Sequence, residues 1–363
     1  MHAASPASLG ARRLLSSAAR RLHTADPVGL LGGYLDESLA LPPGAQAYRR
    51  PHAFETRFSE RAPSTLAFDL SPADPLAGPP ERVAGATRAM RQVVGGTFGP
   101  RALSWVDGRS EPLSYGSGDA WFSSCFDTAG LRESEVTYAW APQTADSLAR
   151  PIHEAVQAAT EAMPSLRPAL TTVRCGRTYG SQEITFGVDG ALRLAELRPV
   201  MERFGLGDQH TRLTNALAFV LGARFVLPPD TTLLTLRPSP GGMEMRVDVD
   251  LEAIPDIPPN VASLLQLQLV ERPQGLRALE RWVGAMTPDG MVNPGELALL
   301  SVVVAPGCGP RLAIQLRPSA ILATPDAGPP TPAPPAPAPA PAPAPETVAA
   351  GLGPRRSPWD PRR

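Results

Sequence analysis

Apolar residues recur along this chain at two periods, and the two periods alternate. From Pro80 to Val94 they return at helical spacing, with Val83, Met90 and Val94 joined by the polar Thr87, and Gly95-Gly96 ends the run. Strand-like patterns follow at Ala102–Val106, Ala120–Phe126 and Glu135–Ala141. A second helical stripe uses Leu148, Ile152, Ala155, Val156 and Ala159 and stops at Pro164. Strands are expected at Ala169–Cys175, Glu183–Val188 and Leu192–Leu197, the last two joined by Val188-Asp189-Gly190, a hairpin signal. A third helix covers Arg212–Phe219 and runs on to about Arg224. It precedes a hairpin of Thr231–Leu236 and Met243–Leu251. A fourth helical region, Asn260–Met286, precedes a last hairpin of Leu297–Val304 and Leu312–Leu316.

The order is therefore helix, strands, helix, strands, about four times over. Hairpin turns within each group imply antiparallel pairing rather than crossover units. Leu197-Arg198-Pro199, Leu236-Arg237-Pro238 and Leu316-Arg317-Pro318 each close an expected strand, which suggests a repeated strand unit. Leu166-Arg167-Pro168 carries the same tripeptide ahead of a strand.

The strands have one apolar and one charged face. Met243, Met245, Val247, Val249 and Leu251 alternate with Glu244, Arg246, Asp248 and Asp250. Arg311, Ala313, Gln315 and Arg317 oppose Leu312, Ile314 and Leu316, and Glu55, Arg57 and Ser59 oppose Phe54, Thr56 and Phe58. The apolar face suits packing under helices. In an open α+β sheet the charged face meets water; in a closed barrel of about ten strands it lines a lumen and no sheet edge stays exposed.

The two ends differ from this body. Residues 1–25 hold Arg12, Arg13, Arg20 and Arg21 and no acid. Their stripe of Leu14, Leu15, Ala18 and Leu22 reads as an amphipathic helix, although the composition imitates a presequence. Between Pro325 and Pro345, 11 of 21 residues are proline, a composition that extends as polyproline II instead of packing. The expected organisation is a basic amino-terminal helix over 1–25, a barrel domain over 26–323 and a disordered Pro/Ala-rich tail over 324–363. The tail's basic end, with Trp359, is a candidate docking peptide for a partner.

Composition narrows the chemistry. All 34 basic residues are arginine, so a Schiff-base lysine, a P-loop lysine and a kinase strand lysine are excluded. The formal charge is −1, and with the ends basic the segment 26–345 carries −7, which argues against a nucleic-acid partner. Cys125, Cys175 and Cys308 fit neither a zinc site nor a disulfide framework and suit a cytoplasmic protein. No apolar run is long enough to span a membrane. His2, His23, His52, His153 and His210 share no ligand spacing, so no protein metal site is expected. Gly116-Ser117-Gly118-Asp119 and Phe204-Gly205-Leu206-Gly207-Asp208 read as turns rather than phosphate cradles.

Over residues 10–322 the order and spacing of elements resemble the ABBA prenyltransferases, and most of all those that prenylate cyanobactins and other ribosomal peptides. The most similar stretches are Ser123–Asp127 with Leu131–Val136, Ile184–Leu197 with its Asp-Gly turn, and the hairpin Leu300–Gln315. The resemblance implies a closed αββα barrel and transfer of a prenyl group from an allyl diphosphate to a peptide or aromatic acceptor, usually with Mg²⁺ on the diphosphate. A departure accompanies it: where the related peptide enzymes carry basic residues facing the diphosphate, this chain has Thr137, Ala139 and Ala141.

Such chemistry needs cationic groups for the diphosphate, aromatic faces around an allyl cation, and a carboxylate for the acceptor's proton. Arg57, Arg246 and Arg317, with Arg174, are the candidates for the diphosphate, chosen because alternation puts the first three on the polar face. Glu55 is the candidate base. Tyr138, Trp140 and Trp121, with Tyr179, are candidates for the aromatic shield. The competing expectation is a barrel of the same fold that has lost catalysis and serves as a peptide-binding or scaffold protein.

Overall fold

The structure, a computed structural model, describes residues 4–322. The expected Pro/Ala-rich tail, 324–363, lies outside the described residues. Strands β1 (Phe54–Ser59), β2 (Leu66–Leu70), β3 (Ala120–Asp127), β4 (Gly130–Ala139), β5 (Leu166–Gly176) and β6 (Gly180–Val188) form the first part of one sheet. A separate two-stranded ribbon, β7 (Leu192–Arg193) and β8 (Val226–Leu227), interrupts them. Strands β9 (Thr232–Ser239), β10 (Gly242–Asp250), β11 (Gly295–Ala305) and β12 (Cys308–Pro318) complete the sheet. Every pairing is antiparallel, and the order β1-β12-β11-β10-β9-β6-β5-β4-β3-β2 returns to β1. The ten strands close into a barrel, with the seam set by Thr56 opposite Leu316 and Ser59 opposite Ala313.

The barrel inverts the usual core. Its apolar side chains point outward: Phe54, Phe68, Phe122, Phe186, Leu234, Val247 and Leu300 are fully buried there. Helices α1 (Pro6–Leu22), α2 (Val28–Ser38), α3 (Pro79–Phe98), α4 (Pro100–Ser114), α5 (Arg150–Ala162), α6 (Arg198–Arg203), α7 (His210–Val220), α8 (Val261–Gln268), α9 (Pro273–Met286) and α10 (Ser319–Leu322) surround it. Each large side chain buried beneath them contributes roughly 1.5–3 kcal/mol. The basic amino-terminal helix α1 is packed into this body against α2, α9 and α10, burying Leu14, Leu15, Ala18 and Leu22. Arg12 and Arg21 on its polar side pair with Asp36 and Asp289.

Several expectations need correction. Ala102–Val106 is not a strand but part of α4, because Gly99, at φ 87°, ends α3 and Pro100 starts a new helix at once. The Asp-Gly turn after Val188 does not form a barrel hairpin. Only Leu192–Arg193 is extended, the chain then turns helical through Arg203, and β6 pairs with β9 instead. The helical region Asn260–Met286 is two helices, since Pro273 starts α9. Leu197-Arg198-Pro199 therefore opens a helix, and the tripeptide marks no repeated strand unit. Strand β2 carries no expectation from the sequence pattern, yet Leu66, Phe68 and Leu70 are buried while Asp69 turns inward.

Candidate active site

Strand alternation decides what enters the lumen. Glu55 and Arg57 on β1, Asp69 on β2, Glu135 on β4, Arg174 on β5, Glu183 on β6, Arg237 on β9, and Glu244, Arg246 and Asp248 on β10 all lie on the polar side of their strands. Register then pairs them across strands: Glu135 stands opposite Arg174, and Arg237 opposite Glu244. Arg174 reaches Glu183 at 2.9 Å, Glu135 at 3.1 Å and Glu133 at 3.6 Å. Arg57 lies 3.3 Å from Asp69 and 3.7 Å from Glu135, and Arg246 donates to Asp248 at 2.9 Å.

The lumen is divided. A mouth cavity of about 280 Å³ is lined by Arg57, Arg61, Arg132, Arg174, Arg237 and Arg246 against Glu133, Glu135, Glu244 and Asp248. An inner chamber of about 60 Å³ shares Arg57, Glu135, Arg246 and Asp248 and adds His52, Asp69 and Glu183. Guanidiniums thus outnumber carboxylates six to four at the mouth, and carboxylates outnumber guanidiniums four to two inside. A larger cavity of about 890 Å³ lies outside the barrel between α3 and α4, lined by Val83, Thr87, Leu103 and Tyr115. Its arginines Arg88 and Arg91 already pair with Glu37 and Asp107, and it shares no lining residue with the two lumen cavities.

The inner end holds a group of three. His52 Nδ1 lies 3.4 Å from Asp69 Oδ2 and 3.6 Å from Glu55 Oε2. The backbone of His52 adopts φ 58°, uncommon for a residue with a side chain, as the chain turns into β1. Its imidazole stacks on Trp121 with ring centroids 4.0 Å apart and planes within 3°. Burial opposes charging of His52, but the Asp69 hydrogen bond and the charges of Glu55 and Asp69 outweigh it, so its pKa rises. Burial also works against ionised Asp69, yet Arg57 and His52 hold that carboxyl down at about 2. Glu55 differs: burial dominates, and its pKa is pushed up despite His52 and Arg317. Burial likewise opposes ionised Glu135, and Arg174 and Arg57 pull it below the usual range.

Of the sequence candidates, Arg57, Arg174 and Arg246 come together around the mouth cavity. Arg317 does not. It is buried beside Glu55, donating from Nε to Oε1 at 3.1 Å, and its other end meets Glu252, so it lines neither chamber. Glu55 also lines neither chamber and approaches the inner one through His52. Trp121 lines the inner chamber. Tyr138 points outward into the helix layer, where its hydroxyl bonds Thr87 at 2.9 Å and burial lifts its pKa to about 12. Trp140 shares that outward parity and packs against the outer core, so neither residue can shield a lumen cation. Tyr179 lines the mouth and bonds Glu133. Thr137 faces the inner chamber, and β4 brings one basic residue, Arg132, to the mouth. Asp69, Glu183 and Arg237 were missed. Arg237 was legible from the parity of β9, whereas His52 and Asp69 meet only once β1 and β2 pair.

The Mg²⁺ implied by the resemblance would accompany the diphosphate, and the three-donor group at the inner end does not suit it. The three-donor group among the described residues, His52, Glu55 and Asp69, includes an imidazole nitrogen, and both carboxylates already face guanidiniums. Mg²⁺ seeks an octahedral set of oxygens.

No known protein family matches the sequence, and no curated protein matches it. The fold itself is that of the prenyltransferase barrels: a closed antiparallel barrel of ten strands with helices around it. The chain is similar to the prenyltransferase PriB in complex with product diphosphate, at 16% identity, covering 88% of this chain and 97% of that one, with a TM-score of 0.66. It is similar to the 6-dimethylallyltryptophan synthase from Micromonospora olivasterospora, at 15% identity, 88% and 98% coverage, TM-score 0.65. It is also similar to the 5-dimethylallyltryptophan synthase from Streptomyces coelicolor, at 13% identity, 86% and 98% coverage, TM-score 0.62. Among the described residues no helix is long and apolar enough to cross a membrane.

Proposed function

We propose that the protein transfers a prenyl group from an allyl diphosphate to an aromatic or peptide-borne acceptor. The observation that carries this reading is the excess of guanidiniums at the mouth of a closed, polar lumen. Arg57, Arg174, Arg237 and Arg246 would take the diphosphate, trading part of their carboxylate contacts for charge-assisted bonds to phosphate oxygens. The allylic C–O bond breaks with its electron pair leaving on the diphosphate, and the allyl carbon bonds to the acceptor. The acceptor's proton passes to the His52–Glu55 pair, where Glu55 is the carboxylate whose burial raises its proton affinity. Wall residues Leu299, Val303 and Ile314 with Tyr179 keep water from the cation. No step is assigned to Mg²⁺. The neighbours of this fold that bind tryptophan and dimethylallyl thiolodiphosphate favour an indole among aromatic acceptors.

One observation favours a second reading. Arg57, Arg174, Arg237 and Arg246 each already face a carboxylate, which suits a barrel that has lost catalysis and serves as a peptide-binding or scaffold protein. Incubation with dimethylallyl diphosphate and a panel of indoles and short peptides separates the two. Acceptor gaining one prenyl unit in step with released diphosphate supports the transferase; no release above the acceptor-free background supports the second reading.

A further inference from the structure

The inner chamber is built to hold a positive charge. About 60 Å³ is the room of roughly two water molecules, too small for an indole and sufficient for an ammonium or guanidinium head. Four carboxylates line it against two guanidiniums and the imidazole of His52, and Asp69 and Glu183 belong to the chamber but not to the mouth. Asp248 is 2% exposed and gives Oδ2 to Arg246 at 2.9 Å, while its Oδ1 accepts no hydrogen bond among the described residues. A buried carboxylate oxygen left bare is unfavourable, and a donor in the chamber offsets that cost.

We propose that this chamber is a subsite for an organic cation, the ammonium or guanidinium end of the acceptor, held by Asp248 with Glu183 and Asp69. The proposal rests on the transferase reading and deepens it. A diphosphate drawing the mouth arginines away from their carboxylates adds to the negative charge deeper in, and a cationic acceptor restores the balance. The lumen thereby takes its two ligands at opposite electrostatic ends and binds each more tightly in the presence of the other. The chamber and the mouth share Arg57, Arg246 and Asp248 as common wall, so an acceptor seated in the mouth reaches the chamber with its charged end.

Isothermal titration of the full chain tests this with tryptamine, agmatine and the neutral N-acetyltryptamine, each with and without dimethylallyl thiolodiphosphate. At least one of the two cations is expected to bind at least about tenfold more tightly than N-acetyltryptamine, equivalent to about 1.4 kcal/mol, and more tightly still with the thiolodiphosphate present. Asp248→Asn, nearly isosteric, is expected to weaken cation binding about tenfold. The wild-type comparison of tryptamine with its neutral analogue stands even if that variant fails to fold. Affinity of both cations no greater than that of N-acetyltryptamine, or no binding of either cation, overturns the subsite. Displacement of the bound cation by an equal concentration of Mg²⁺ overturns it as well, since the chamber then belongs to a metal ion. Cation binding without thiolodiphosphate binding leaves the subsite standing and removes the transferase reading; the reverse pattern removes the subsite alone.

Discussion

Arg317 and Glu55 meet across the seam that closes the barrel, 262 positions apart, with Nε donating to Oε1 at 3.1 Å and both side chains buried. The pair ties the last strand to the first and holds Glu55 so that its other oxygen faces His52. Arg317→Met is therefore expected to destabilise the fold by about 3–5 kcal/mol, because it leaves a buried carboxylate without its partner. Adding Glu55→Gln should recover a large part of that loss. Urea denaturation of the two single variants and the double variant measures it, and additive losses would show that the two residues do not act as a pair.

The inner group makes stability depend on pH in two opposite senses. Asp69 has a pKa near 2 in the fold against 3.8 for the free side chain. It contributes about 2 kcal/mol above pH ~4, lost as pH falls through ~2. His52 has a raised pKa, so its contribution is complete below about pH 6.5 and disappears as pH rises through its higher folded value. Denaturation midpoints across pH check this: Asp69→Asn should flatten the acid limb, and His52→Gln the limb above neutrality. An unchanged profile in either variant contradicts the assignment.

Tyr138 was expected in the lumen and is outside it, bonded to Thr87 of α3. Tyr138→Phe should cost about 1 kcal/mol of stability and leave lumen binding of thiolodiphosphate unchanged. A change in ligand affinity would contradict its placement in the helix layer.

The alternation on β1, β10 and β12 shows the charged lumen face in the sequence itself, because a period of two is a local property of a strand. Closure of the barrel agreed with that pattern but came from pairing β1 with β12, which no local signal carries. Arg317 illustrates the limit. Its parity was right and its depth along the lumen was not, since parity fixes a face and not a level. Tyr138 and Trp140 failed for the reverse reason: residue type suggested a shield while their parity with Val136 already placed them outward. The partnership of His52 with Asp69 needed β2, a five-residue strand too short to stand out in the sequence.

Mg²⁺ gives a further test. The donor set at the inner end does not suit it, and the mouth supplies guanidiniums for the diphosphate. Prenyl transfer is expected to continue in EDTA at a rate within about twofold of that with Mg²⁺, measured by release of diphosphate. A loss of about tenfold or more in EDTA would return the metal to the account.

The central claim is that the mouth of this barrel binds an allyl diphosphate through its arginines, and isothermal titration of the full chain with dimethylallyl and geranyl thiolodiphosphate tests it most directly. The account predicts saturable binding of at least one analogue, weakened about tenfold or more by Arg246→Ala and by Arg237→Ala, with a salt dependence typical of charge-assisted contacts. Absence of binding by both analogues at about millimolar concentration, an affinity weaker than roughly −4 kcal/mol, would contradict it and leave the barrel as a binding protein of another kind.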